Sequence, residues 1–150
     1  MTMAYDLSND EPLESALSGL HVLAVDDNPD TVQLTAVLLR HCGAVVRTAE
    51  STKEALKILN EWRPHALLCD VKMPEEDGVQ FIARVRRLPG RLGSIPAIAI
   101  TAYTEPQDRT RALSAGFTDV MAKPFDLLAL VGALWHMRPA ARDVPSEARS

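Results

Sequence analysis

Residues 66–78 have the sequence ALLCDVKMPEEDG, and the architecture of the chain can be inferred outward from this stretch. An apolar run at residues 66–69 is followed at once by Asp70, then by a proline and an Asp-Gly pair. This pattern is typical of a buried strand that ends at Asp70 and continues into a turn. Ligands of an open parallel sheet bind beyond the carboxyl ends of its strands. The stretch therefore predicts a carboxylate at a ligand-binding edge.

A second acidic pair, Asp26 and Asp27, follows the apolar run at residues 22–25 in the same way. Two neighbouring strand ends would bring these carboxylates together with Asp70. Three carboxylates in one crevice repel each other unless a cation joins them, and hard oxygen ligands suit a divalent cation of the magnesium kind. The sequence therefore predicts a Mg²⁺ site formed by Asp26, Asp27 and Asp70.

Composition limits the classes of function. The chain has 150 residues, 47% of them hydrophobic, and its 16 basic and 20 acidic side chains give a net charge of −4. This charge provides no global positive field for nucleic acid or an anionic membrane, which favours a protein partner. Cys42 and Cys69 lie in predicted packed elements, and no signal or membrane-spanning segment is visible, so we expect a cytoplasmic protein with reduced thiols.

Strands and helices alternate along the sequence. The hydrophobic patterns predict strands at residues 21–25, 44–48, 65–70, 96–101 and 118–122, each followed by a helix. This alternation predicts an α/β fold, a parallel sheet with helices on both faces, and five strands match the flavodoxin-like doubly wound order 2-1-3-4-5. The switch point of that order lies between strands one and three, so the fold independently brings the three carboxylates to the ligand crevice.

Two local patterns predict details of individual helices. Thr104, with Gln107 three residues later, forms a capping-box pattern that is expected to open the fourth helix. The first helix is expected to pack on the sheet through an apolar stripe of Val32, Leu34, Val37, Leu38 and Leu39.

The ends of the chain differ from the rest. Residues 1–19 carry acidic side chains and no lysine or arginine, and we interpret them as an acidic flexible arm that is either mobile or loosely docked on the domain. Residues 20–137 form the predicted domain, and residues 138–150 are predicted to be a disordered tail. Because the tail is too short for a DNA-binding or enzymatic domain, we expect a single-domain protein, although a fragment of a larger protein fits the same sequence.

Four separated motifs resemble the receiver domain of two-component response regulators, in the single-domain form of the chemotaxis regulators. The resemblance spans about residues 21–137, and each motif alone is weak evidence, whereas the four in this order are specific. They lie at the predicted ends of strands one, three, four and five: Val25-Asp26-Asp27, Asp70-x-x-Met73-Pro74-x-x-Asp77-Gly78, Thr101-Ala102 and Lys123-Pro124-Phe125.

The resemblance implies a signalling domain rather than an enzyme. Asp70 would accept a phosphoryl group from a phosphohistidine of a sensor histidine kinase or a histidine phosphotransfer protein. The output would be changed docking to a downstream protein. The only catalysis would be the domain's own phosphotransfer and dephosphorylation.

The resemblance also implies roles for the other motif residues. Thr101 and Lys123 would bind the phosphoryl oxygens, and the peptide bond from Lys123 to Pro124 would be cis. The ligands of Mg²⁺ would be Asp26, Asp27, Asp70 and the backbone carbonyl of Lys72.

Other classes of protein use this fold or this chemistry. A flavin or nucleotide carrier needs a phosphate-binding loop after the first strand, where Asp26 and Asp27 would repel phosphate. A phosphatase of the haloacid-dehalogenase type uses an Asp-x-Asp motif, and Asp26-Asp27-Asn28 does not provide that spacing. A phosphorylation-independent scaffold with the receiver fold stays open as the alternative, and so does a receiver fragment of a larger hybrid kinase.

One position departs from the family. Receivers usually carry tyrosine or phenylalanine three residues before the lysine, and here that position is Val120. Because valine has no ring to rotate between two pockets, we expect Tyr103, two residues after Thr101, to take part in the switch. Lys72 and Tyr103 also occupy positions that border the path of attacking water in receivers, so we expect them to slow hydrolysis of the phosphoryl group. The alternative is that Lys72 orients a water molecule and speeds hydrolysis.

The predicted fifth helix is apolar on every side, because residues 127–135 include no charged side chain. Alignment with the family predicts that Leu130, Leu134 and Met137 face the sheet. Leu128, Val131 and Trp135 then form a second stripe, which we expect to be an interface for a homodimer or a partner protein. The alternative is that the N-terminal arm or the C-terminal tail folds over this stripe.

Overall fold

The structure is a computed structural model that describes residues 12–72, 77–102 and 105–138. Within these residues the strands are β1 (His21–Val25), β2 (Val45–Ala49), β3 (Ala66–Asp70), β4 (Ala97–Thr101) and β5 (Asp119–Ala122). The helices are α1 (Pro29–His41), α2 (Thr52–Glu61), α3 (Gly78–Arg86), α4 (Pro106–Ala115) and α5 (Leu127–Met137). Short 3₁₀ helices span Leu13–Ser15 and Gly90–Ser94.

The strands form one parallel sheet in the order β2-β1-β3-β4-β5, which confirms the predicted flavodoxin-like architecture. β1 pairs with β3 so that Val25 lies opposite Cys69, and an aspartate follows each of these two residues. This register brings Asp26 and Asp70 to the same end of the sheet. We call that end, where the strands terminate, the carboxyl edge, and the opposite end the amino edge.

Helices cover both faces of the sheet because successive strand residues point to opposite sides. On one face, Ala24 and Leu68 belong to a cluster with the buried residues of α1 and α5. On the other face, Leu23 and Leu67 belong to a cluster with the buried residues of α2, α3 and α4. Every residue of β3 is buried, which explains its continuous apolar sequence up to Asp70.

The predicted apolar stripe of the first helix is wrong in part. Leu34 and Val37 are 60% and 57% exposed. The buried face follows the spacing i, i+3, i+4 and i+7, and it includes two short side chains that let α1 lie close to the sheet. Its residues are Val32, Thr35, Ala36 and Leu39.

The predicted start of the fourth helix is also shifted. α4 begins at Pro106, with Glu105 in the N-cap position. Proline is favoured in the first helical turn, because it has no amide hydrogen that would be left unpaired there. Thr104 lies outside the described residues.

Part of the predicted N-terminal arm, at residues 12–19, packs on the domain. Ala16 and Leu17 have no exposed surface and belong to the cluster formed by the sheet, α1 and α5. The Leu17 amide donates a hydrogen bond to the backbone oxygen of Cys42, just after α1, at 2.8 Å. The arm at residues 1–11 and the disordered tail at residues 139–150 lie outside the described residues and stay predictions.

α5 is packed more completely than the sequence suggests. Leu130 and Leu134 have no exposed surface, as predicted for the stripe that faces the sheet. Val131 is also fully buried and Trp135 is partly buried, while Leu128 is 40% exposed. The predicted interface through Leu128, Val131 and Trp135 is therefore wrong as a preformed exposed surface, because N-terminal residues share the cluster that buries Val131.

α5 lacks Asp, Glu, Lys and Arg but is only 11 residues long. Neither α5 nor any other helix in the described ranges combines the length and hydropathy needed to cross a membrane.

Each edge strand has a backbone oxygen that is occupied by an arginine from a helix. On β2, the Arg40 guanidinium donates to the backbone oxygen of Val46 at 2.8 Å. On β5, the Arg109 guanidinium donates to the backbone oxygen of Val120 at 3.1 Å. The outer sides of β2 and β5 are thereby partly covered by side chains.

Candidate functional site

Three carboxylates meet at the carboxyl edge. Oxygen atoms of Asp26, Asp27 and Asp70 all lie within 4.8 Å of one another. Asp26 and Asp70 are buried, whereas Asp27 is exposed, so the cluster is accessible from solvent. The structure therefore brings together the three acidic residues that the sequence predicts to form a metal site.

Asp26 is held at both of its carboxylate oxygens. The backbone N–H of Asn28 donates to Oδ1 at 3.0 Å, and the Lys123 ammonium donates to Oδ2 at 3.2 Å. The Asn28 side chain caps α1 by accepting hydrogen bonds from the amides of Asp30 and Thr31. The turn from β1 into α1 thus fixes the carboxylate, a role of Asn28 that the sequence analysis missed, although its capping position is visible in the sequence.

Asp70 is likewise held at both oxygens. Its Oδ1 accepts a hydrogen bond from the backbone amide of Lys72 at 3.2 Å, and its Oδ2 lies 3.2 Å from the Lys123 ammonium. Burial raises the pKa of Asp70 and the charge of Asp26 raises it further, whereas Lys123 and the Lys72 amide act in the opposite direction. The ionised carboxylate is therefore only partly compensated by its surroundings.

Lys123 joins the two buried carboxylates. Its Nζ lies 3.2 Å from Asp26 Oδ2 and 3.2 Å from Asp70 Oδ2. Burial lowers the pKa of Lys123, but the charges of Asp70 and Asp26 outweigh burial and raise the pKa above its ordinary value. The ammonium form is thereby favoured. The peptide bond from Lys123 to Pro124 is cis, as predicted.

Thr101 ends β4 and is 3% exposed. Asp70 pairs with Ile100, so Thr101 follows the residue opposite Asp70. The backbone oxygen of Thr101 accepts a hydrogen bond from the Lys123 amide at 2.8 Å. Sheet register therefore brings Thr101 and Lys123 to the same edge as the carboxylates.

The remaining predicted positions are Lys72, Val120 and Tyr103. Lys72, two residues after Asp70, is exposed, and the use of its carbonyl as a metal ligand stays a prediction. Val120 is partly buried on β5 and packs against the apolar cluster that the sheet forms with α2, α3 and α4. Tyr103 lies outside the described residues.

The turn between β3 and α3 is closed by Gly78. The Gly78 amide donates to the backbone oxygen of Val71 at 2.6 Å. A Cβ atom at this position would lie 2.8 Å from the Cα atom of Val71 and 2.9 Å from the backbone oxygen of Asp70. Asp77, the residue before, caps α3 in a capping box with Gln80. Glycine is therefore required here by close backbone approach behind Asp70.

A cavity of about 460 Å³ adjoins the site between α1 and the sheet. Asp26, Asp70 and Lys123 form its polar end, and most of its other lining residues are apolar, including Leu34 and Leu38. No local sequence pattern indicates this cavity, because it forms between elements that are distant in the sequence.

The donor set fits Mg²⁺. This ion prefers octahedral oxygen ligands at about 2.1 Å, so ligands on opposite sides of it are about 4.2 Å apart. The carboxylate oxygens lie within 4.8 Å of one another, so the three side chains need to move only slightly to share one such ion. Asp26, Asp27 and Asp70 therefore satisfy the chemistry of the predicted site.

The match to a known family covers most of the chain. Residues 22–134 match the family model of the response regulator receiver domain. The chain belongs to this family and is a receiver domain of two-component response regulators, a signalling domain.

Individual proteins and a solved structure are similar to most of the chain. A 14.6 kDa protein of the sodA1 3′ region of Leptolyngbya boryana is 46% identical over 115 residues, which cover 77% of this chain and 87% of the relative. The transcriptional regulatory protein PrrA of Mycobacterium leprae is 34% identical over 138 residues, but those residues cover 90% of this chain and only 58% of PrrA. The crystal structure of a putative response regulator from Chloroflexus aurantiacus superposes with a TM-score of 0.74 at 33% identity, over 79% of this chain and 96% of that one.

Proposed function

We propose that this receiver domain accepts a phosphoryl group on Asp70 from a phosphohistidine of a sensor histidine kinase or a histidine phosphotransfer protein. The observation that carries the proposal is the position of Lys123, 3.2 Å from both Asp26 and Asp70. A buried carboxylate nucleophile beside an ammonium and two further carboxylates has the parts needed to receive an anionic phosphoryl group in the presence of a cation.

The proposed reaction forms one bond and breaks one bond. A carboxylate oxygen of Asp70 attacks the phosphorus of the donor's phosphoimidazole, the P–N bond breaks, and the imidazole leaves with the electron pair and is protonated. The product is an acyl phosphate on Asp70. Bound Mg²⁺ would supply positive charge that screens the phosphoryl group, and its ligands would be Asp26, Asp27, Asp70 and the carbonyl of Lys72.

Lys123 and Thr101 have distinct proposed roles. When the phosphoryl group occupies an oxygen of Asp70, Lys123 exchanges its contact with that carboxylate for a contact with a phosphoryl oxygen. The lysine ammonium suits this exchange, because it carries three N–H donors that can rotate on a flexible side chain. The Thr101 hydroxyl donates to a second phosphoryl oxygen.

The output is proposed to be altered docking to a downstream protein. Val120 cannot supply the rotating ring that the family resemblance implies, so Tyr103 stays our candidate for a residue that couples Thr101 to the surface. Loss of phosphorylation-dependent partner binding in Tyr103→Ala, with Asp70 still labelled, is the expected result. Unchanged partner binding contradicts this role for Tyr103.

Labelling with a small phosphodonor tests the chemistry. Incubation with Mg²⁺ and phosphoramidate is expected to give one phosphoryl adduct that is stable in acid and labile in alkali. Mass spectrometry of the intact protein is expected to show the adduct in the parent and not in Asp70→Asn. The matched control is Asp30→Asn, which removes an exposed carboxylate from the first turn of α1 and is expected to label like the parent.

The outcomes separate this function from its alternative. Equal labelling of Asp70→Asn and the parent contradicts Asp70 as the acceptor. A parent that takes no label with any donor, yet binds its partner, supports the phosphorylation-independent scaffold.

A cytoplasmic location belongs to the same proposal, since Cys42 and Cys69 are free buried thiols, and cell fractionation tests it.

A further inference from the structure

A segment outside the family match packs on the amino edge. Residues 13–18, which we call the strap, precede β1, and the family model begins only at residue 22. Leu13 opens a short 3₁₀ helix, Leu13–Ser15, and Ala16 and Leu17 lie in the turn that follows it. Ala16 and Leu17 have no exposed surface, and Leu13 is packed against the same cluster.

The strap contacts the residues that directly follow α1 and α5, Cys42 and Arg138. Leu39 and Cys42 at the end of α1, and Val131 and Leu134 of α5, belong to the same apolar cluster as Ala16 and Leu17. We call this surface the end recess. It lies at the amino edge, at the opposite end of the sheet from Asp70.

Polar contacts fix the backbone of the strap in the end recess. The Leu17 amide donates to the backbone oxygen of Cys42 at 2.8 Å. The Arg138 guanidinium donates to the backbone oxygen of Ala16 at 3.3 Å while it lies 4.5 Å from the centre of the Trp135 ring. The recess therefore offers a donor and an acceptor to the main chain of its occupant as well as an apolar surface to its side chains.

Gly43 allows the strap to approach the end recess closely. Its φ of +98° is a conformation that glycine adopts without strain, and a Cβ atom there would lie 2.9 Å from Ser18 Oγ and 3.1 Å from the Ser18 amide nitrogen. Glycine at this position leaves room for the strap backbone.

The strap is short, and Gly19 links it to β1. Its helical turn spans only Leu13–Ser15, and Gly19, which links it to β1, has a φ of +84° with nothing within 4 Å of a built Cβ atom. A few apolar side chains oppose the entropy cost of ordering the whole segment. The pairing of β1 with β2 begins at His21, after Gly19.

We propose that the end recess is a docking site for a short helical turn with the pattern leucine, two residues, small residue, leucine. The strap occupies this site in the same molecule, and a partner protein that presents a turn of this pattern displaces it. Displacement leaves the residues that the strap contacts, such as Cys42 after α1, facing the partner, so this surface becomes an interface only after the strap leaves.

A peptide supplied in trans tests this site. The peptide PLESALSGL, residues 12–20, is titrated into full-length Leu17→Asp, in which the buried carboxylate releases the strap. Both proteins carry Trp62→Phe, so that fluorescence reports Trp135. We expect saturable binding to Leu17→Asp and an apparent affinity at least about tenfold weaker for the parent, because its own strap competes. Glu14→Ala, at an exposed strap position, is the matched control and is expected to behave like the parent.

Each result has a definite meaning. A folded Leu17→Asp that binds no peptide overturns the proposal, and so does equal affinity for the parent and the variant. Amide hydrogen exchange on the parent gives an independent measurement that does not depend on the variant folding. The Leu17 amide is expected to exchange faster than the β3 amide of Leu67, which bonds to the backbone oxygen of Pro96, and equal rates through global unfolding overturn the release of the strap.

Discussion

The ionisation of Asp70 is a property of one residue that affects the whole carboxyl edge. Its pKa is raised in the folded protein by burial and by Asp26. The native state therefore holds a proton on Asp70 more readily than the unfolded chain does. It follows that ionised Asp70 destabilises the fold above its unfolded pKa, and that this penalty disappears as the pH falls.

We expect Asp70→Asn to be more stable than the parent at pH 7 in the absence of Mg²⁺. The amide keeps the shape of the side chain but removes the buried charge beside Asp26. The difference in Tm should be positive at pH 7 and shrink towards pH 4, and thermal melts followed by circular dichroism measure it. Asp30→Asn, on the exposed first turn of α1, is the control. A parent that is the more stable protein at pH 7 contradicts the argument.

Gly78→Ala is expected to disturb the acceptor without touching its side chain. The added methyl group would lie 2.8 Å from Val71 Cα and 2.9 Å from the backbone oxygen of Asp70, and these backbone atoms cannot move independently of the site. We expect a loss of about 1–3 kcal/mol in the free energy of unfolding and labelling of Asp70 slowed by about tenfold. Val79→Ala, at the next position, is the control for a change in α3 itself. Parent-like labelling of Gly78→Ala would mean that the turn relaxes without moving Asp70.

Most of the candidate site could be predicted from single residues, because each motif lies at the end of an apolar run and strand ends are a local signal. Asp26, Asp27 and Asp70 are brought together as expected. The hydrogen bond from the Asn28 amide to Asp26 could not be predicted in the same way, because it depends on the path of the backbone through the turn.

At the scale of elements, α4 is held mainly by polar contacts. Ala112 is its only buried residue among those described. Arg109 donates to the backbone oxygen of Val120 and pairs with Asp119 on β5. On the other side, Arg86 of α3 donates to the backbone oxygen of Gly116, just after α4. An element with so little apolar contact can shift at small cost in free energy.

Arg109→Ala should loosen α4 against β5. We expect faster amide exchange throughout α4 and at Val120, with a loss of stability below about 1 kcal/mol, because the guanidinium is largely exposed. Hydrogen exchange detected by mass spectrometry measures the change. Arg87→Ala removes an exposed arginine at the C-terminal end of α3 and should leave α4 unaffected. If both variants exchange like the parent, packing rather than Arg109 holds α4.

The order of elements was predictable, whereas their outer faces were not. Proline, glycine and capping residues mark the ends of strands and helices locally, so the five alternating units could be assigned. Leu34 and Val37 were assigned to the wrong side of α1, because residue type alone does not reveal that Thr35 and Ala36 allow close packing. The burial of Leu17 depends on a recess built by residues far along the chain, which no local pattern encodes.

At the scale of the whole molecule, the amino edge contains a group that responds to pH. His65 Nδ1 accepts a hydrogen bond from the His21 amide at 2.9 Å, and the His65 amide donates to the backbone oxygen of His21 at 2.7 Å. Burial lowers the pKa of His65, and the neighbouring His21 lowers it further. The neutral ring therefore connects β1 to the start of β3.

Acid should weaken the fold through His65. The unfolded chain binds a proton at a pKa of about 6.5, whereas the folded chain does so only at lower pH. The contribution of neutral His65 to the free energy of unfolding is therefore present above about pH 6.5. It is lost as the pH falls below this value, by up to about 1.4 kcal/mol per pH unit. Denaturant unfolding between pH 7 and 5 should show a smaller loss in His65→Gln than in the parent. His41→Gln, on the exposed end of α1, should retain the parent's pH dependence, and equal slopes in all three proteins would exclude His65 as the cause.

Arg40 and Arg109 each occupy a backbone oxygen of one of the two outermost strands. An extended segment of another polypeptide therefore meets a guanidinium where it would need a free acceptor, and it cannot readily lengthen the sheet at either side. Molecules of this chain can accordingly stand close together at high local concentration, or beside a second domain on a common tether, without fusing into continuous β-structure. Crowding then favours contacts between helices, made by their side chains, over contacts between the main chains of strands.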